Sequence, residues 1–319
     1  MSQNDLLESL REGIESSIML GRDLVGVHAG RASWNLQFKN STVEEAEILV
    51  GADGISSAVR TLIGLPVGDV AKGDYTYFSG IVDAGSGCPP FETLGQGCER
   101  SLLRSRGLRF ACVPLGPEKC LWFSSLPSSI VPKDAISNDS ILRFLQELHK
   151  DWHQPIPLLL ERSIQTGVDV LVETHPAYVC PAEPYLIAGD NAAAAVLLGD
   201  ARHAVTPNLA QGAAVAIEDA CDLSVCLKNR VVDATGLDRC LRSYVDARRE
   251  RSRAHAQMTV FTEALSQMNG VLSEPLRNMM AIVPRPLNSW IFDAALDRSM
   301  GNFRHQGAAH RLRAAIAEL

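Results

Sequence analysis

Two short apolar runs stand far apart in the chain, and each ends in a glycine that is closely followed by an aspartate. The first run is Ile48 to Gly51, with Asp53 two positions later, and the second is Val196 to Gly199, with Asp200 next. Uninterrupted apolar runs are typical of strands that are covered on both faces of a parallel sheet. Open α/β sheets bind their ligands at the carboxyl ends of such strands. The pattern therefore predicts that both runs lie in one parallel sheet and bring the two aspartates to one edge.

The segment between these runs, from about residue 70 to residue 185, has a different pattern. The stretches YTYFSGIVDA, LRFACVPLG and KCLWFSSLP alternate in character and are separated by Gly/Pro turns, which is typical of antiparallel strands with one face buried. The stretch SNDSILRFLQELHKDWH has the pattern of an amphipathic helix, whose apolar face is formed by Ile141, Phe144, Leu145 and Leu148. The segment is predicted to be a β-rich module.

Two helical patterns follow the second apolar run, from about Gln211 to Leu227 and from Arg239 to Leu265. The fold class is therefore α/β with α+β character, and one of the predicted domains is formed by two separate ranges of the sequence. One domain is formed by residues 1–65 and 186–265, the β-rich module of residues 66–185 is inserted into it, and residues 266–319 form a helical tail.

Composition excludes several classes of function. The chain has 319 residues and a formal net charge of −7, which argues against general nucleic-acid binding, so the basic run DARRERSRAH is interpreted as a solvated helix face. The eight cysteines form no C-x-x-C pair and predict reduced thiols in a cytoplasmic protein without a metal site. The N-terminus lacks a signal-peptide pattern, and no apolar run reaches the roughly 18 residues that a membrane-spanning helix needs.

The loop after the second apolar run has the chemistry of a cofactor site. Asp200 carries an acceptor-only carboxylate, which suits the hydroxyl groups of a ribose or ribityl chain. Pro207 shapes the turn, and Gly212 and Ala213 begin a helix whose free N–H groups and positive dipole end can face an electron-rich ligand atom. The plainer interpretation is a capped helix after a strand, with Asp200 only bracing the loop.

Two motifs in this order, with a β-rich insert between them, resemble one enzyme family. GADGISSAVR, which contains Asp53 and Arg60, is similar to the Asp-Gly motif of the group A FAD-dependent aromatic-ring monooxygenases, which have the p-hydroxybenzoate hydroxylase fold. LLGDARHAVTPNLAQGAAVAIEDA is similar to their Gly-Asp motif, in the variant of the salicylate-hydroxylase-like branch. LRSYVDARRERSRAHAQ resembles the C-terminal helix of the family. The resemblance covers roughly residues 1 to 265.

The resemblance implies FAD as the cofactor and NAD(P)H as the co-substrate. Asp200 would contact the ribityl hydroxyls of FAD, and Gly212 and Ala213 would offer backbone N–H groups near the flavin pyrimidine ring. Pro207 would shape the wall beside the isoalloxazine. The flavin would carry the chemistry, with the protein supplying orientation and exclusion of water, so no catalytic side chain is predicted.

The Asp-Gly motif has a separate implied role. In this family the motif is associated with both FAD and NAD(P)H, so Asp53 and Arg60 are included among the cofactor-binding candidates. The insert would be the substrate domain and would close an apolar pocket over the reactive face of the flavin. The implied architecture is a truncated FAD-binding parallel-sheet domain with an inserted substrate domain and C-terminal helices.

One motif of the family has no counterpart in these residues. The family begins with a strand, a G-x-G-x-x-G loop and a helix, whereas GSGCPP and GQGCER, which contain G-x-G, do not continue to the third glycine and do not join a strand to a helix. The expectation is that the pyrophosphate cradle and the adenosine site are absent and that Gln3 replaces an Arg that contacts FAD in relatives. We then expect weak FAD binding and a sheet that a second copy or a partner chain could cover.

The leading function is an FAD-dependent monooxygenase that hydroxylates an aromatic or polyketide-like small molecule, in secondary metabolism or aromatic degradation. One alternative is a flavin-free cyclase or isomerase, and another is a non-catalytic remnant or binding protein. His203 is a candidate for acid–base work or for a structural role in the loop. Trp122 and Phe123 are interpreted as core residues, with pocket lining as the alternative.

Overall fold

A computed structural model of the chain describes residues 3–31, 33–65, 70–71, 75–83, 108–115, 118–133, 137–152, 154–174, 177–178, 185–188, 193–206, 211–228 and 234–266. These residues fall into two compact units. We call the first the split unit, which takes the described parts of Met19–Ala71 and Pro176–Glu263. The second is the insert unit, which takes the described parts of Met1–Ile18, Lys72–His175 and Ala264–Pro284. The predicted domain boundaries stay predictions, and the tail of residues 266–319 lies almost wholly outside the described residues.

The split unit combines short strands with four helices in its described part. Its strands are β1 (Leu24–Ala29), β2 (Trp34–Phe38), β3 (Val43–Ala46), β4 (Ile48–Gly51), β5 (Val70–Ala71), β10 (Ala177–Tyr178), β11 (Tyr185–Ala188) and β12 (Ala193–Leu197). Its helices are α2 (Ala58–Leu62), α5 (Asp200–His203), α6 (Gly212–Lys228) and α7 (Ala234–Ser266). None of the helices in the described ranges is long and apolar enough to cross a membrane.

The central feature of the split unit is the parallel pairing of β4 with β12. Val196 lies opposite Val50 and Leu197 opposite Gly51, while β11 pairs with the other side of β12 in the antiparallel direction. The prediction that the two apolar runs share a parallel sheet is confirmed, and so is the α/β fold class. β12 is buried along its whole length, but Val50 in β4 is 39% exposed, so the described residues cover only part of the first run.

β12 contributes to two separate hydrophobic cores because its side chains alternate between the faces of the sheet. Leu197, together with Ala193 and Ala195, packs with Trp34 and Val59, on the side of α2 and the antiparallel sheet β1–β2–β3. Val196, together with Ala194, packs with residues of α6 and α7 that include Leu223, Leu237, Leu241 and Tyr244. The strand that leads to Asp200 is therefore held from both faces.

Gly51 allows the end of β4 to approach its neighbours more closely than any other residue could. A Cβ atom on Gly51 would stand 2.6 Å from Cδ2 of Leu197 and 3.0 Å from Cβ of Val59. Both distances are shorter than ordinary van der Waals contacts. The close packing of β4, β12 and α2 thus depends on the absence of a side chain at this position.

The insert unit is a mixed unit whose sheet is wholly antiparallel. Its described elements are α1 (Gln3–Arg11), β6 (Tyr75–Asp83), β7 (Arg109–Pro114), β8 (Lys119–Pro127), α3 (Asn138–His149), α4 (Ile156–Thr166) and β9 (Leu171–Glu173). The four strands are ordered β7–β8–β6–β9, and every neighbouring pair is antiparallel. The predicted β-rich, antiparallel character of this segment is confirmed. The predicted amphipathic helix is α3, which Ser137 caps with a reciprocal bond to Ser140.

Trp122 lies at the centre of the core between this sheet and the helices α3 and α4. Its side chain is fully buried, and Nε1 donates to Oγ of Ser163 in α4 at 2.9 Å. Its ring stacks on Phe110 with centroids 5.9 Å apart. The interpretation of Trp122 as a core residue is confirmed. Phe123 points to the other face of β8, where it is half-buried beneath the guanidinium of Arg109.

We predict that Gly51→Ala lowers the free energy of unfolding by about 1–3 kcal/mol, because the added methyl group overpacks a tight contact. The matched control is Gly212→Ala, whose added Cβ would meet no atom of the described residues nearer than Oδ1 of Asp200 at 4.0 Å. Because alanine favours a helix over glycine, the control should be neutral or slightly stabilising. Urea unfolding followed by circular dichroism measures both changes. Equal stability of Gly51→Ala and the wild type would contradict the packing described for β4.

Candidate cofactor site

The turn that carries Asp200 is set by the glycine before it. β12 ends at Leu197, and Gly199 has a φ of +57°, a left-handed value that favours glycine. A Cβ atom at this position would also stand only 3.1 Å from Cβ of Ala216 in α6. The chain can therefore reverse close to α6 and place Asp200 at the carboxyl end of the parallel pair.

Asp200 presents an exposed carboxylate beside the start of α6. No described residue donates a hydrogen bond to this carboxylate, and its Oδ1 lies 4.0 Å from the Cβ position of Gly212. In α6 the amide of Val215 bonds to the carbonyl of Gln211 at 2.9 Å, so the amides that precede Val215 have no partner within the helix. No acidic side chain occupies the first turn of α6. The arrangement offers an anionic acceptor next to a set of backbone donors.

Asp53 and Arg60 lie at the corresponding end of β4, but their side chains bond within the protein. Asp53 accepts from Oγ of Ser57 at 2.5 Å and from the amide of Val59 at 3.0 Å, so it braces the start of α2. Arg60 is buried and donates through Nη1 to the carbonyl of Ala201 at 2.9 Å. It also donates through Nη2 to the carbonyl of Ile55 at 2.9 Å. A contact of either residue with a cofactor stays a prediction.

The bond from Arg60 to Ala201 joins the two sequence motifs directly. It connects residues 141 positions apart in the chain and reaches the residue immediately after Asp200. Of the six predicted site residues, the structure thus places Asp200 next to Gly212 and Ala213, and Arg60 beneath the same turn. Pro207 lies outside the described residues.

A second carboxylate, Asp219, supports the turn from within the protein. Asp219 is fully buried in α6, and its Oδ2 accepts from the amide of Gly199 at 3.0 Å and pairs with Nε2 of His203 at 2.5 Å. Its Oδ1 accepts from Nε of Arg248 at 2.6 Å. Asp219 therefore contacts the turn on both sides of Asp200 and connects it to α7.

The charge of Asp219 is stabilised by its partners. Burial alone would raise the pKa of this carboxyl, but the hydrogen bond and charge of His203, the Arg248 guanidinium and the Gly199 amide lower the pKa to about 2. Asp219 is consequently ionised at pH 7. His203 is thereby held in a buried pair with Asp219. Of the two interpretations of His203, acid–base work or a structural role in the loop, this contact favours the structural role.

A neighbouring carboxylate completes the connection between α6 and α7. Glu218 accepts from Nη2 of Arg248 at 2.9 Å and from Nε and Nη2 of Arg251 at 2.8 and 2.9 Å. The interpretation of DARRERSRAH as a solvated face is therefore wrong for Arg248 and Arg251, which are buried. It holds for the exposed Arg249 and Arg253. Two of the arginines face inward because two adjacent carboxylates in α6 require buried partners.

His255 continues this buried polar region along α7. Its side chain is 2% exposed, and neither ring nitrogen has a hydrogen-bond partner among the described residues. Burial and the nearby Arg251 lower the pKa of His255 to about 4, so the ring is neutral at pH 7. No group of His, Cys, Asp or Glu in the described part of the chain is arranged to hold a metal ion.

Comparison with known proteins connects this geometry to a cofactor. Residues 191–259 match the family model described as an FAD binding domain, a range that contains Asp200, Gly212, Asp219 and Arg251. A 6-hydroxynicotinate 3-monooxygenase from Bordetella bronchiseptica is 30% identical over 223 residues, which are 68% of this chain and 53% of that protein. An aurachin C monooxygenase/isomerase from Stigmatella aurantiaca is 29% identical over 67% of this chain and 51% of its own length. The chain is related to the FAD-dependent aromatic hydroxylases.

The fold agrees with this relationship. The crystal structure of Klebsiella pneumoniae HpxO, complexed with FAD and uric acid, superposes with a TM-score of 0.73 and 18% sequence identity. The superposition covers 94% of this chain and 73% of HpxO. The chain therefore has the fold of the FAD-dependent hydroxylases, and its match spans about half the length of the two relatives named above.

We predict that Asp219→Asn lowers the free energy of unfolding by about 1–3 kcal/mol at pH 7, because it removes one charged partner of the buried Arg248, which keeps Glu218, and leaves the buried donors around Asp219 with one acceptor oxygen fewer. The pKa of Asp219 is lowered from an ordinary value of 3.8 to about 2 in the folded chain. The stability that ionised Asp219 contributes is thus complete above about pH 4 and lost as the pH falls toward 2, by about 2 kcal/mol. The difference in the free energy of unfolding between wild type and Asp219→Asn should therefore become smaller as the pH falls from about 4 toward 2.

Urea unfolding between pH 7 and pH 2 measures this dependence. The control is Asp238→Asn, which removes the carboxylate of the exposed Arg242–Asp238 pair in α7 and should change stability by no more than about 0.5–1 kcal/mol. A gap between wild type and Asp219→Asn that stays constant across this pH range would contradict the lowered pKa.

Proposed function

We propose that the chain acts as an FAD-dependent monooxygenase that hydroxylates an aromatic or polyketide-like small molecule, with NAD(P)H as co-substrate. The observation that carries the proposal is the exposed carboxylate of Asp200, which no described residue pairs with, beside the first amides of α6, which have no partner within the helix. This arrangement lies inside the stretch that matches an FAD binding domain. The proposed location is the cytoplasm, because such a reaction draws on NAD(P)H and the cysteines of the described residues are free thiols.

The donor and acceptor groups at this place fit a flavin. Asp200 supplies an acceptor for the hydroxyl groups of the ribityl chain. Gly212 and Ala213 supply amide donors, which an electron-rich carbonyl edge of the flavin accepts, and the positive end of the α6 dipole favours that contact. Gly212 keeps the approach open because it has no side chain. Pro207, Asp53 and Arg60 complete the proposed set, with Arg60 acting on the turn through Ala201.

FAD and the protein have different roles in the proposed reaction. When bound, FAD supplies the redox chemistry, in which NAD(P)H provides electrons and O₂ provides the oxygen atom. The chain binds and orients the flavin through Asp200 and the α6 amides. No side chain of the described site needs to act as a nucleophile, since the cofactor carries the reaction.

The substrate class follows from the names of relatives. They include proteins named for 6-hydroxynicotinate and aurachin C, and HpxO was solved with uric acid. We infer that this chain also acts on an electron-rich ring compound.

We predict that Asp200→Ala weakens FAD binding by about 10- to 100-fold, because hydrogen bonds to a charged group contribute about 1.5–3 kcal/mol and each 1.4 kcal/mol is tenfold in affinity. The control is Asp246→Ala, which removes an exposed carboxylate of α7 that pairs only with the exposed Arg249 among the described residues. Titration of each protein with FAD, followed by flavin fluorescence and the visible spectrum, measures the dissociation constants.

The wild-type complex is itself expected to be weak, on the order of micromolar or weaker, because the 319 residues contain no G-x-G-x-x-G. Equal affinity of Asp200→Ala and wild type would refute the role given to Asp200. A flavin spectrum that remains unchanged up to millimolar FAD would favour a flavin-free cyclase or isomerase, or a binding protein.

A further inference from the structure

The turn that carries Asp200 is short, and side chains of other elements hold it: Arg60 bonds to the carbonyl of Ala201, and Asp219 bonds to Gly199 and His203. Gly199 has a left-handed φ, α5 is a single turn of four residues, and the Asp200 carboxylate itself is exposed. An exposed acceptor can orient a ligand only if the backbone beneath it is fixed. The groups that bond to this backbone therefore determine the position of the Asp200 carboxylate.

Asp219 has the contacts that this task requires. Through one oxygen atom it accepts from the amide of Gly199 at 3.0 Å and pairs with the ring of His203 at 2.5 Å. These two partners lie immediately before Asp200 and three residues after it. Through its other oxygen atom Asp219 accepts from Arg248 at 2.6 Å, which anchors the carboxylate to α7.

We propose that Asp219 is a positioning residue for the cofactor site: it fixes the backbone on both sides of Asp200 and so holds the Asp200 carboxylate in place for the ligand. The ligand named here, FAD, rests on the proposed function, whereas the fixing of the turn rests on geometry alone. Asp219 does not itself touch the ligand, because its side chain is fully buried and bonded to three protein groups.

Glu218 provides a matched comparison within the same buried network. It is adjacent in α6, it is buried, and it also accepts from Arg248. Its remaining described partner is Arg251 in α7, and it makes no described hydrogen bond to the Asp200 turn. Loss of either carboxylate disturbs the ion pairs between α6 and α7, but only loss of Asp219 releases the turn.

The first test needs no cofactor. Hydrogen–deuterium exchange of the segment 199–206 is measured in the full chain for wild type, Asp219→Asn and Glu218→Gln. We expect exchange in this segment to quicken by more than about tenfold in Asp219→Asn, because asparagine keeps only one acceptor oxygen for the three donors of Asp219, and its NH₂ group faces one of these donors. The same segment should stay within about threefold of wild type in Glu218→Gln. Equal exchange in the two variants would overturn the proposal.

A second variant covers the case in which Asp219→Asn does not fold. His203→Leu removes the bond between the ring and Asp219 while leaving every described ion pair between α6 and α7 in place. It should also quicken exchange in the segment 199–206, by a smaller factor because the Gly199 bond remains. Unchanged exchange in a folded His203→Leu protein, with Asp219→Asn unfolded, would count against the proposal.

The second test separates a positioning role from a general loss of stability. FAD dissociation constants are measured for wild type, Asp200→Ala, Asp219→Asn and the double variant, at a temperature at which all are folded. If Asp219 acts through Asp200, Asp219→Asn should weaken binding by on the order of tenfold in the wild-type background and by less than about twofold when Asp200 is already alanine. Additive effects would overturn the proposal.

The two tests distinguish the inference from the function on which it rests. Failure of the chain to bind FAD, or equal binding by Asp200→Ala, argues against the proposed function, while the exchange measurement still decides whether Asp219 fixes the turn. A loss of FAD binding in Asp200→Ala without any effect of Asp219→Asn supports the function and refutes the positioning role.

Discussion

The buried carboxylate of Asp219 is the interaction on which the candidate site depends. A fully buried charge is costly unless each of its oxygen atoms has a hydrogen-bond partner, and Asp219 meets this condition with a backbone amide, a histidine ring and a guanidinium. Gly199 and His203 flank one turn after β12, and Arg248 lies in the middle of α7. One side chain of α6 thereby connects this turn to α7.

Arg60 makes a comparable connection from the other side of the sheet. It is buried, and its guanidinium bonds to the backbone carbonyl of Ala201. Arginine suits this task because its planar group presents several donors in fixed directions. Arg60 in α2 therefore donates to a backbone carbonyl of the Asp200 turn, and Asp219 in α6 accepts from a backbone amide of the same turn. The exposed Asp200 carboxylate lies between these two bonds and is left available for a ligand.

The sequence was sufficient to predict the parallel pairing of β4 with β12, because a glycine and an aspartate after an apolar run indicate where a strand ends. It was also sufficient for the antiparallel sheet of the insert unit, because alternation reports which face is buried. It was not sufficient for Asp219, Glu218, Arg248 and Arg251. Charged residues on a helix are usually solvated, and a spacing pattern does not show that two helices face each other through their charges. The adjacent Glu218 and Asp219 and the spaced arginines can be seen in the sequence. Only the three-dimensional structure shows which carboxylate pairs with which arginine.

The separation of these partners in the chain has a consequence for how the protein folds. Arg60 and Ala201 are 141 positions apart, so the bond between them, and the parallel pairing beside it, can form only after a long loop has closed. The entropy cost of closing a loop grows slowly with its length, and contacts of this kind form late because they must wait for distant segments to meet. The antiparallel sheet and the helices α3 and α4 of the insert unit lie within that loop and share a core of their own, so they can become ordered first and shorten the effective distance. The turn that holds Asp200 would then be among the last parts of the protein to take its final form.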